Sequence, residues 1–274
     1  MLPAKLYITI RYRLMKGYWL DLSNPITFNE KLQWLKLYYH RPEFIKMVDK
    51  YEVKEFVSSM IGGDCVIPTL GVWDKVEDID FSKLPTQFVL KCTHDSGGLV
   101  ICKERSNLDI EKAKKKLKNS LKTNYYHEGK EWPYKYVKPR IIAEAYMEDK
   151  ETKELRDYKF FCFAGNPYIV QCDFGRFTHH KRNVYDINWN LLDLQIHYPS
   201  DHKIILVKPK SFEKMIDAAR ILSKDIPFAR IDFYEVDGKM YFGEITFYHG
   251  SGLENFYPKD WDKKLGDLII LPNN

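Results

Sequence analysis

Apolar residues recur at helical spacing in several stretches of the chain. Thr27 followed three residues later by Glu30 is a capping box, and it predicts an amphipathic helix over residues 31–39. Further helices are predicted at the N-terminus and over residues 42–58, 109–122 and 212–224. The helix over residues 109–122 is rich in lysine, yet its leucines also recur at helical spacing. That pattern is more typical of a solvated helix face than of a nucleic-acid contact, so no nucleic-acid partner is predicted.

Short apolar runs bounded by glycine, proline and polar residues predict β-strands. They lie at residues 87–92, 99–102, 140–146, 157–164 and 168–174, and a hairpin over residues 228–248 closes the series. Helical and extended segments do not alternate strictly along the chain. The pattern therefore favours an α+β fold with mainly antiparallel sheets over a doubly wound parallel sheet.

The closing hairpin carries the most informative pattern, because an Asp-Gly pair at residues 237–238 separates two apolar-rich runs. A three-residue loop with the glycine in the left-handed conformation is predicted, since residues of equal parity then share a face. A two-residue loop would bury either Asp232 or Glu244 among apolar side chains, which is costly. The polar residues expected on one face are Arg230, Asp232, Glu244 and Thr246.

Two carboxylates on adjacent strands repel each other unless a cation lies between them. Oxygen ligands favour magnesium, which usually completes its shell with water and substrate phosphates. Asp232 and Glu244 therefore suggest a magnesium nucleotide site, in which Arg230 could bind a phosphate oxygen. A surface salt bridge between Arg230 and Glu244 explains the hairpin equally well.

A glycine loop follows the strand that ends near Lys91. Residues 93–98 end in Ser-Gly-Gly, and paired glycines let backbone amides approach a phosphate closely. The segment lacks the Walker pattern, and an ordinary hairpin turn is the competing interpretation. Farther on, residues 141–147 form a strand that runs into an acidic turn. Its end could offer backbone groups to adenine, or it could be a plain core strand with Glu144 at its mouth.

Composition narrows the class of protein. The 274 residues, 45% of them hydrophobic, suffice for one large or two modest domains. No apolar run approaches the roughly 20 residues of a membrane-spanning helix, and basic residues interrupt the N-terminus too often for a secretory signal. A cytoplasmic protein without stable membrane insertion is expected. Five cysteines without a Cys-x-x-Cys pair argue against a disulfide framework or a zinc cluster. The formal charge of +5 suits an anionic ligand.

The order of these segments resembles the ATP-grasp superfamily, and within it the branch similar to the teichuronopeptide-biosynthesis (TupA-like) proteins. The closer resemblance lies in FNEKLQW (28–34), KCTHDSGG (91–98), DYKF (157–160) and FGEITF (242–247). It extends over nearly the whole chain. The resemblance implies two α+β subdomains with mainly antiparallel sheets that clasp ATP, preceded by a helical segment. The expected boundaries are 1–60 for the helical segment, 61–143 for the small subdomain and 144–274 for the large one.

The resemblance also implies roles for individual residues. The phosphate contacts would be Lys50, Lys91, Ser96, Gly97 and Gly98. The adenine would meet Glu144, Ala145, Tyr146 and Met147, and Asp157 is the best-placed residue for the ribose. Magnesium would bind Asp232, Glu244 and Thr246, although asparagine is usual where Thr246 stands. The expected catalytic contacts are Arg230, Lys159 and Arg182, the last in a basic loop over residues 174–182. His249 could meet the substrate or cap a turn.

The function implied is an ATP- and magnesium-dependent ligase that joins a carboxylate to an amine through an acyl phosphate. The branch is associated with bacterial surface polysaccharide modification, so a uronic acid or an amino acid is the expected substrate. One alternative is a metal-dependent glycosyltransferase with Asp78 and Asp80 as its metal motif. Another is a catalytically inactive polysaccharide-binding module with tyrosines as stacking platforms.

Overall fold

The computed structural model describes residues 2–151, 153, 155–175 and 180–272. Its helices are α1 (Ala4–Lys16), α2 (Phe28–Tyr38), α3 (Glu43–Val48), α4 (Val53–Ile61), α5 (Ile110–Leu121), α6 (Tyr126–Gly129), α7 (Phe212–Leu222) and α8 (Asp260–Asp267). Its strands are β1 (Thr69–Trp73), β2 (Phe88–Cys92), β3 (Leu99–Cys102), β4 (Ile141–Ala145), β5 (Asp157–Phe163), β6 (Asn166–Phe174), β7 (Lys181–Asp186), β8 (Gln195–Ile196), β9 (Ala229–Val236), β10 (Lys239–Thr246) and β11 (Phe256–Tyr257).

The fold is of the predicted α+β class. Every pairing between these strands is antiparallel. The chain divides into two compact units, one of residues 1–40 and 149–274 and the other of residues 41–148. The boundaries expected after residues 60 and 143 differ from this division and stay a prediction. Among the described residues, no helix has both the length and the apolar character needed to cross a membrane.

The first unit is built on a five-stranded sheet with strand order β10-β9-β5-β6-β7. Successive side chains of a strand point to opposite faces. One face packs against α7, where the rings of Phe160 and Phe212 lie 5.6 Å apart. On the other face, α2 covers one end of the sheet through Phe28, whose ring lies 4.8 Å from that of Phe228 and 6.3 Å from that of Phe161. The remaining part of that face is polar.

The start of α2 confirms the capping box. The Thr27 hydroxyl accepts from the Glu30 amide, and the Glu30 carboxylate accepts from the Thr27 amide at 3.0 Å. Both contacts satisfy amides that a helix start would otherwise leave without partners. The helix therefore begins with Phe28 directed into the core, where that side chain is fully buried.

The second unit is built on a four-stranded sheet with order β1-β4-β2-β3. Its core lies between this sheet and α5, and it includes Phe88, Leu90 and Ile141 of the strands together with Leu117 of the helix. The lysines of α5 lie outside this core, as expected for a helix with one apolar face. The segment predicted as a solvated helix therefore supports the sheet that carries Lys91.

The single helix predicted over residues 42–58 is wrong, because α3 and α4 are separate helices. The chain turns at Asp49, whose carboxylate accepts from the amides of Tyr51 at 2.8 Å and Glu52 at 3.1 Å. Such local side-chain bonds offer the backbone an alternative to the helix. Arg140 donates to the same carboxylate at 2.8 Å and makes the turn part of a buried ion pair. Lys50 consequently lies in a turn, and its amide donates to the carbonyl of Thr93.

The prediction of a three-residue hairpin loop is also wrong. Lys239 pairs directly with Val236, so the loop has two residues, Asp237 and Gly238, and both have positive φ. The pairing then shifts between Phe242 and Glu244, where Gly243 forms a bulge. Because a bulge adds one residue to one strand, the side chains of β10 that follow it lie on the opposite face from the one that the two-residue loop alone would give them. Glu244 therefore lies opposite Asp232, as predicted, although for a different reason.

We expect Gly243→Val to lower the free energy of unfolding by about 1–3 kcal/mol, as overpacking does. A Cβ atom at Gly243 would lie 3.0 Å from the Asp232 carbonyl oxygen and 3.1 Å from the Tyr234 ring. Urea denaturation measures the change. Lys239→Gln, on an exposed position of the same strand, is the matched control and should leave stability nearly unchanged. Equal stability of the two variants would contradict the tight bulge.

Candidate active site

A row of polar side chains crosses the sheet of the first unit. Glu244 lies opposite Asp232, Asp232 opposite Lys159, and Lys159 opposite Gln171. Residues that pair directly across antiparallel strands share a face. Four neighbouring strands, β10, β9, β5 and β6, therefore each contribute a polar side chain to the same face.

Arg230 joins the two carboxylates of this row. Its Nε and Nη2 atoms donate to the two oxygens of Asp232, each at 2.7 Å, and Nη2 also donates to Glu244 at 2.7 Å. Burial alone would lower the pKa of Arg230, but Asp232 and Glu244 outweigh that effect and raise it. The residue Arg230 is only 9% exposed. The two-pronged ion pair with Asp232 has the geometry that guanidinium and carboxylate groups favour. The salt bridge with Glu244 considered from the sequence is present as a single contact to a carboxylate whose side chain is half-exposed.

Lys159 adds a second buried cation. Its Nζ atom donates to Asp232 at 2.7 Å and lies 3.4 Å from a carboxylate oxygen of Asp157. Burial opposes the charge of Lys159, yet Asp157 and Asp232 raise its pKa. Three carboxylates (Asp157, Asp232 and Glu244) therefore face two cations (Arg230 and Lys159), which leaves a formal charge of −1 on this face.

The donors on this face suit magnesium. Two carboxylates lie in register, and the Thr246 hydroxyl is 3.5 Å from a carboxylate oxygen of Glu244. These are oxygen ligands, as magnesium prefers, and their number leaves room for water and phosphate oxygens. Within the described residues, no group of three or more His, Cys, Asp or Glu side chains is arranged to hold a metal ion by itself. The Glu244 side chain is 45% exposed, so it can reach a ligand in solution.

His249 forms a hydrogen bond with Arg230. Its Nδ1 atom lies 2.9 Å from Arg230 Nη1, and its ring packs on Phe161. Burial, followed by the charges of Arg230, Arg182 and Lys159, keeps the pKa of His249 well below its usual range. A neutral imidazole that accepts at Nδ1 carries its proton at Nε2. His249 is therefore a fixed acceptor for the guanidinium.

The α2 motif holds the segment that carries His249. Gln33 donates to the carbonyls of Ser251 and Gly252 at 2.9 and 2.7 Å, and Lys36 donates to that of Ser251 at 2.7 Å. Gly252 has positive φ, and a Cβ there would lie 2.7 Å from Gln33 Nε2. Gln33 of FNEKLQW and Lys36, two residues after that motif, thus fix a tight turn. This role could not be inferred from the motif alone, since the contacts span more than 200 residues of sequence.

Arg182 lies on β7, beside this row. Its Nε atom donates to Asp173 at 2.7 Å, and its guanidinium lies 4.8 Å from the centre of the Tyr198 ring. The His180 Nε2 atom lies 3.0 Å from the same carboxylate, and its ring centre lies 3.8 Å from that of Tyr198, with the two rings tilted by 31°. The sequence did not single out Asp173 or Tyr198. Of the predicted basic loop, residues 176–179 lie outside the described residues.

In the second unit, Glu144 binds two lysines. Its carboxylate lies 2.6 Å from Lys91 Nζ and 2.5 Å from Lys54 Nζ. Burial would raise the pKa of Glu144, but Lys91 and Lys54 outweigh it and lower the pKa below its usual value. Lys54 was missed by the sequence analysis because its partner lies on a distant strand. Glu144, predicted to meet adenine, therefore also orients Lys91.

The glycine loop is anchored at one end. Asp95 accepts from the Gly98 amide at 3.1 Å and from the Ser120 hydroxyl of α5, and Lys50 donates to the carbonyl of Asp95. A Cβ at Gly98 would collide with Ser120 and Cys92, so only glycine fits there. Ser96 and Gly97, at the tip, are exposed. A fixed base and an exposed tip are what a loop needs to present its amides to an anion.

The remaining predicted residues lie in less distinctive surroundings. The Ala145 amide donates to the carbonyl of Pro68, and the Tyr146 hydroxyl donates to Glu148 at 2.7 Å. Met147 is half-buried next to them. The alternative metal motif is exposed, and Asp80 accepts from the amide and hydroxyl of Ser82 at 3.0 and 2.6 Å. That pattern is typical of an aspartate that caps a short helical turn.

Comparison with known proteins identifies the family. The family model described as TupA-like ATP-grasp matches residues 30–270. The chain therefore belongs to the TupA-like ATP-grasp family, which confirms the resemblance seen in the sequence. No curated protein sequence matches it significantly.

Several solved structures are similar to this chain. An L-amino acid ligase from Bacillus licheniformis is 13% identical with a TM-score of 0.49, over 91% of this chain and 56% of that one. A D-alanine–D-alanine ligase from Helicobacter pylori is 13% identical with a TM-score of 0.48, over 89% and 69%. The Bacillus anthracis enzyme of that name, complexed with ATP, is 18% identical with a TM-score of 0.43, over 81% and 63%. The matches thus span between 56% and 69% of these proteins.

We expect Glu144→Gln to destabilise the protein by about 3–5 kcal/mol at neutral pH, because two lysines would lose a buried counter-charge. The pKa of Glu144 is lowered in the folded protein, so its stabilising effect is present above the unfolded pKa of about 4.3. It is lost as the pH falls through the folded pKa. Denaturation at neutral and acidic pH measures the difference between the variant and the wild type, which should shrink in acid.

Glu77→Gln serves as the control for this prediction. Glu77 pairs with Lys118 on the surface of the same unit, and its side chain is 60% exposed. Its replacement should change stability little at any pH, since exposed ion pairs contribute weakly. If Glu144→Gln behaved like this control, the buried carboxylate would not be holding the two lysines.

Proposed function

We propose that the protein is an ATP- and magnesium-dependent ligase that joins a carboxylate to an amine through an acyl phosphate. The observation that carries the proposal is the buried guanidinium of Arg230 between Asp232 and Glu244, on a face whose formal charge is −1. Such a face attracts a divalent cation, and its fixed cations suit phosphate oxygens. Membership of the TupA-like ATP-grasp family supports the same chemistry.

The reaction runs in two steps. A carboxylate oxygen of the substrate attacks the γ-phosphorus of ATP, and ADP leaves. The amine nitrogen then attacks the carbonyl carbon of the acyl phosphate. Inorganic phosphate departs with the former carboxylate oxygen, and the amine loses a proton. No nucleophile from the protein is required, so positioning and electrostatic stabilisation carry the catalysis.

Each group of residues has a task in this scheme. Asp232, Glu244 and Thr246 would hold magnesium, which would supply positive charge next to the phosphate oxygens. Arg230 and Lys159 are already charged and ordered, so they stabilise the developing phosphoryl charge without reorganising. In the second unit, the glycine loop with Lys50 and Lys91 binds phosphate, and residues 144–147 bind adenine. In the first unit, Asp157 binds ribose. Arg182 contacts the acyl phosphate or the acceptor.

The substrates belong, in this proposal, to the modification of bacterial surface polysaccharide, such as a capsule, in the cytoplasm. The basis of this assignment is the resemblance of the sequence to the teichuronopeptide-biosynthesis branch. A uronic acid or an amino acid would supply the carboxylate. Phosphate release from ATP can be measured across a panel in which uronic acids and amino acids are offered as the carboxylate substrate and amino acids as the amine. The combination that supports release identifies the two substrates. Release only in the presence of both substrates supports the proposal, and no release with any pair would contradict it.

Nucleotide binding is tested by thermal denaturation with ADP and magnesium. At a ligand concentration of about 100 times Kd, binding stabilises a folded protein by about 2.7 kcal/mol. For a chain of this size, that corresponds to roughly 2–4 °C in Tm per kcal/mol. We expect Glu244→Gln to lose the magnesium-dependent part of the shift and to keep the Tm of the unliganded protein, because its carboxylate is half-exposed.

Two controls sharpen this experiment. Glu213→Gln removes a carboxylate that pairs with Lys208 on the surface of α7, where its side chain is 74% exposed, and it should keep the full shift. Asp232→Asn is less suitable, since it would remove the carboxylate that the buried side chains of Arg230 and Lys159 share as a counter-charge. A shift with a nucleotide sugar alone, and none with ADP and magnesium, would favour a glycosyltransferase. No shift with either would favour a polysaccharide-binding module.

A further inference from the structure

Helix α1 has apolar side chains on two faces, and only one of them is covered. Ile8 and Tyr12 pack with Leu20 in a buried cluster of the first unit. On the outer face, Leu6, Ile10 and Leu14 recur every fourth residue, and Leu2 precedes the helix at the same spacing; Leu2, Leu6, Ile10 and Leu14 are 53%, 47%, 40% and 78% exposed. At 1.5 Å per residue, the helical part of this row is about 12 Å long. Exposed apolar patches of this kind mark sites of interaction. We call these four residues the outer row.

The charged residues of the segment that carries the outer row are all basic: Lys5, Arg11, Arg13 and Lys16, with no aspartate or glutamate in residues 2–20. Lys16 faces the protein, because its side chain is only 8% exposed and its Nζ atom lies 3.8 Å from a carboxylate oxygen of Asp262. Lys5 and Arg13 are exposed next to the row. Two copies of this helix packed face to face would bring like charges together, which disfavours self-association. The partner of the outer row is therefore expected to carry negative charge.

Aromatic residues follow the end of the helix. Trp19 is 64% exposed, and the guanidinium of Arg13 lies 5.9 Å from the centre of its ring. Tyr18 is also exposed. Tryptophan and tyrosine favour the boundary between lipid and water, because their rings are apolar and their N–H or O–H groups are polar. A row of leucines with flanking basic and aromatic residues is typical of helices that lie on a membrane surface.

We propose that α1 binds peripherally to an anionic membrane surface, with the outer row lying in the headgroup region and its basic residues close to the lipid phosphates. An anionic membrane offers an apolar interior to the outer row and negatively charged headgroups to the basic residues, side by side along one flat surface. The inner face of α1 stays packed on the protein, so binding needs no unfolding. This inference does not depend on the proposed ligase activity.

Vesicle co-sedimentation of the full chain tests the proposal. The probes are vesicles of phosphatidylcholine alone and of phosphatidylcholine with phosphatidylglycerol in equal parts. We expect the protein to pellet with the anionic vesicles, weakly or not at all with the neutral ones, and less at high salt. The triple variant Leu6→Gln, Ile10→Gln, Leu14→Gln should lower the partition coefficient roughly tenfold or more, because three apolar side chains no longer enter the interface.

A matched control lies in the same unit. Ile205 and Val207 are 76% and 80% exposed in a loop with neighbouring lysines. The double variant Ile205→Gln, Val207→Gln should bind vesicles like the wild type. All replaced side chains are exposed, so both variants should keep the wild-type Tm, and this verifies that they are folded.

Several results would overturn the proposal. The wild type could fail to pellet with anionic vesicles, or the triple variant could bind as strongly as the wild type. Loss of binding in the loop variant instead would assign the surface to residues 205–207. Sedimentation equilibrium tests whether the outer row instead binds a second copy of the chain. A dimer that forms with the wild type and not with the triple variant would assign the outer row to self-association.

Discussion

A buried guanidinium governs the architecture of the candidate active site. Arg230 lies almost wholly inside the first unit, and a buried charge is tolerated only with matched partners. Asp232 supplies two oxygens, Glu244 a third, and His249 a neutral acceptor. The strand register, the bulge at Gly243 and the tight turn after β10 all bring these partners to one point. The sheet is therefore arranged around the charge as much as around its apolar core.

The second unit uses the same physical device. Glu144 is buried between Lys91 and Lys54, much as Asp232 is buried between Arg230 and Lys159. In both cases a carboxylate fixes the charged ends of long side chains that would otherwise be mobile. Cations held in place before a reaction stabilise developing negative charge without having to reorganise. Under the proposed function, the two networks give stability and catalysis a common origin, and we expect a change in either carboxylate to affect both.

Much of the fold could be predicted from the sequence, because its signals are local. The capping box at Thr27 and the alternation in the strands each depend on a few neighbouring residues, and the α+β class follows from them. The break at Asp49 was missed because the apolar pattern continues across it, although an aspartate that caps the next turn was visible in the sequence. At Asp49, the hydrogen bonds of the turn outweigh the apolar periodicity and end the helix.

The site was predictable only in part. The carboxylates of Asp232 and Glu244 were expected on one face, since the alternative would bury a charge among apolar side chains. The actual route, a two-residue loop with a compensating bulge, depends on how Gly243 packs against Asp232 and Tyr234. Lys54, Asp173 and the contacts of α2 with the turn after β10 join residues far apart in sequence. No local pattern encodes such pairs, so the structure was needed to find them.

The central claim is that this charged face transfers a phosphoryl group to a carboxylate. Isotope transfer tests it most directly, with the carboxylate substrate that supports phosphate release prepared with ¹⁸O in its carboxyl group. An acyl phosphate requires that one labelled oxygen appear in the inorganic phosphate, as mass spectrometry would detect after complete turnover. Phosphate without label, released while the product forms, would contradict the account, because the carboxylate would not have been phosphorylated.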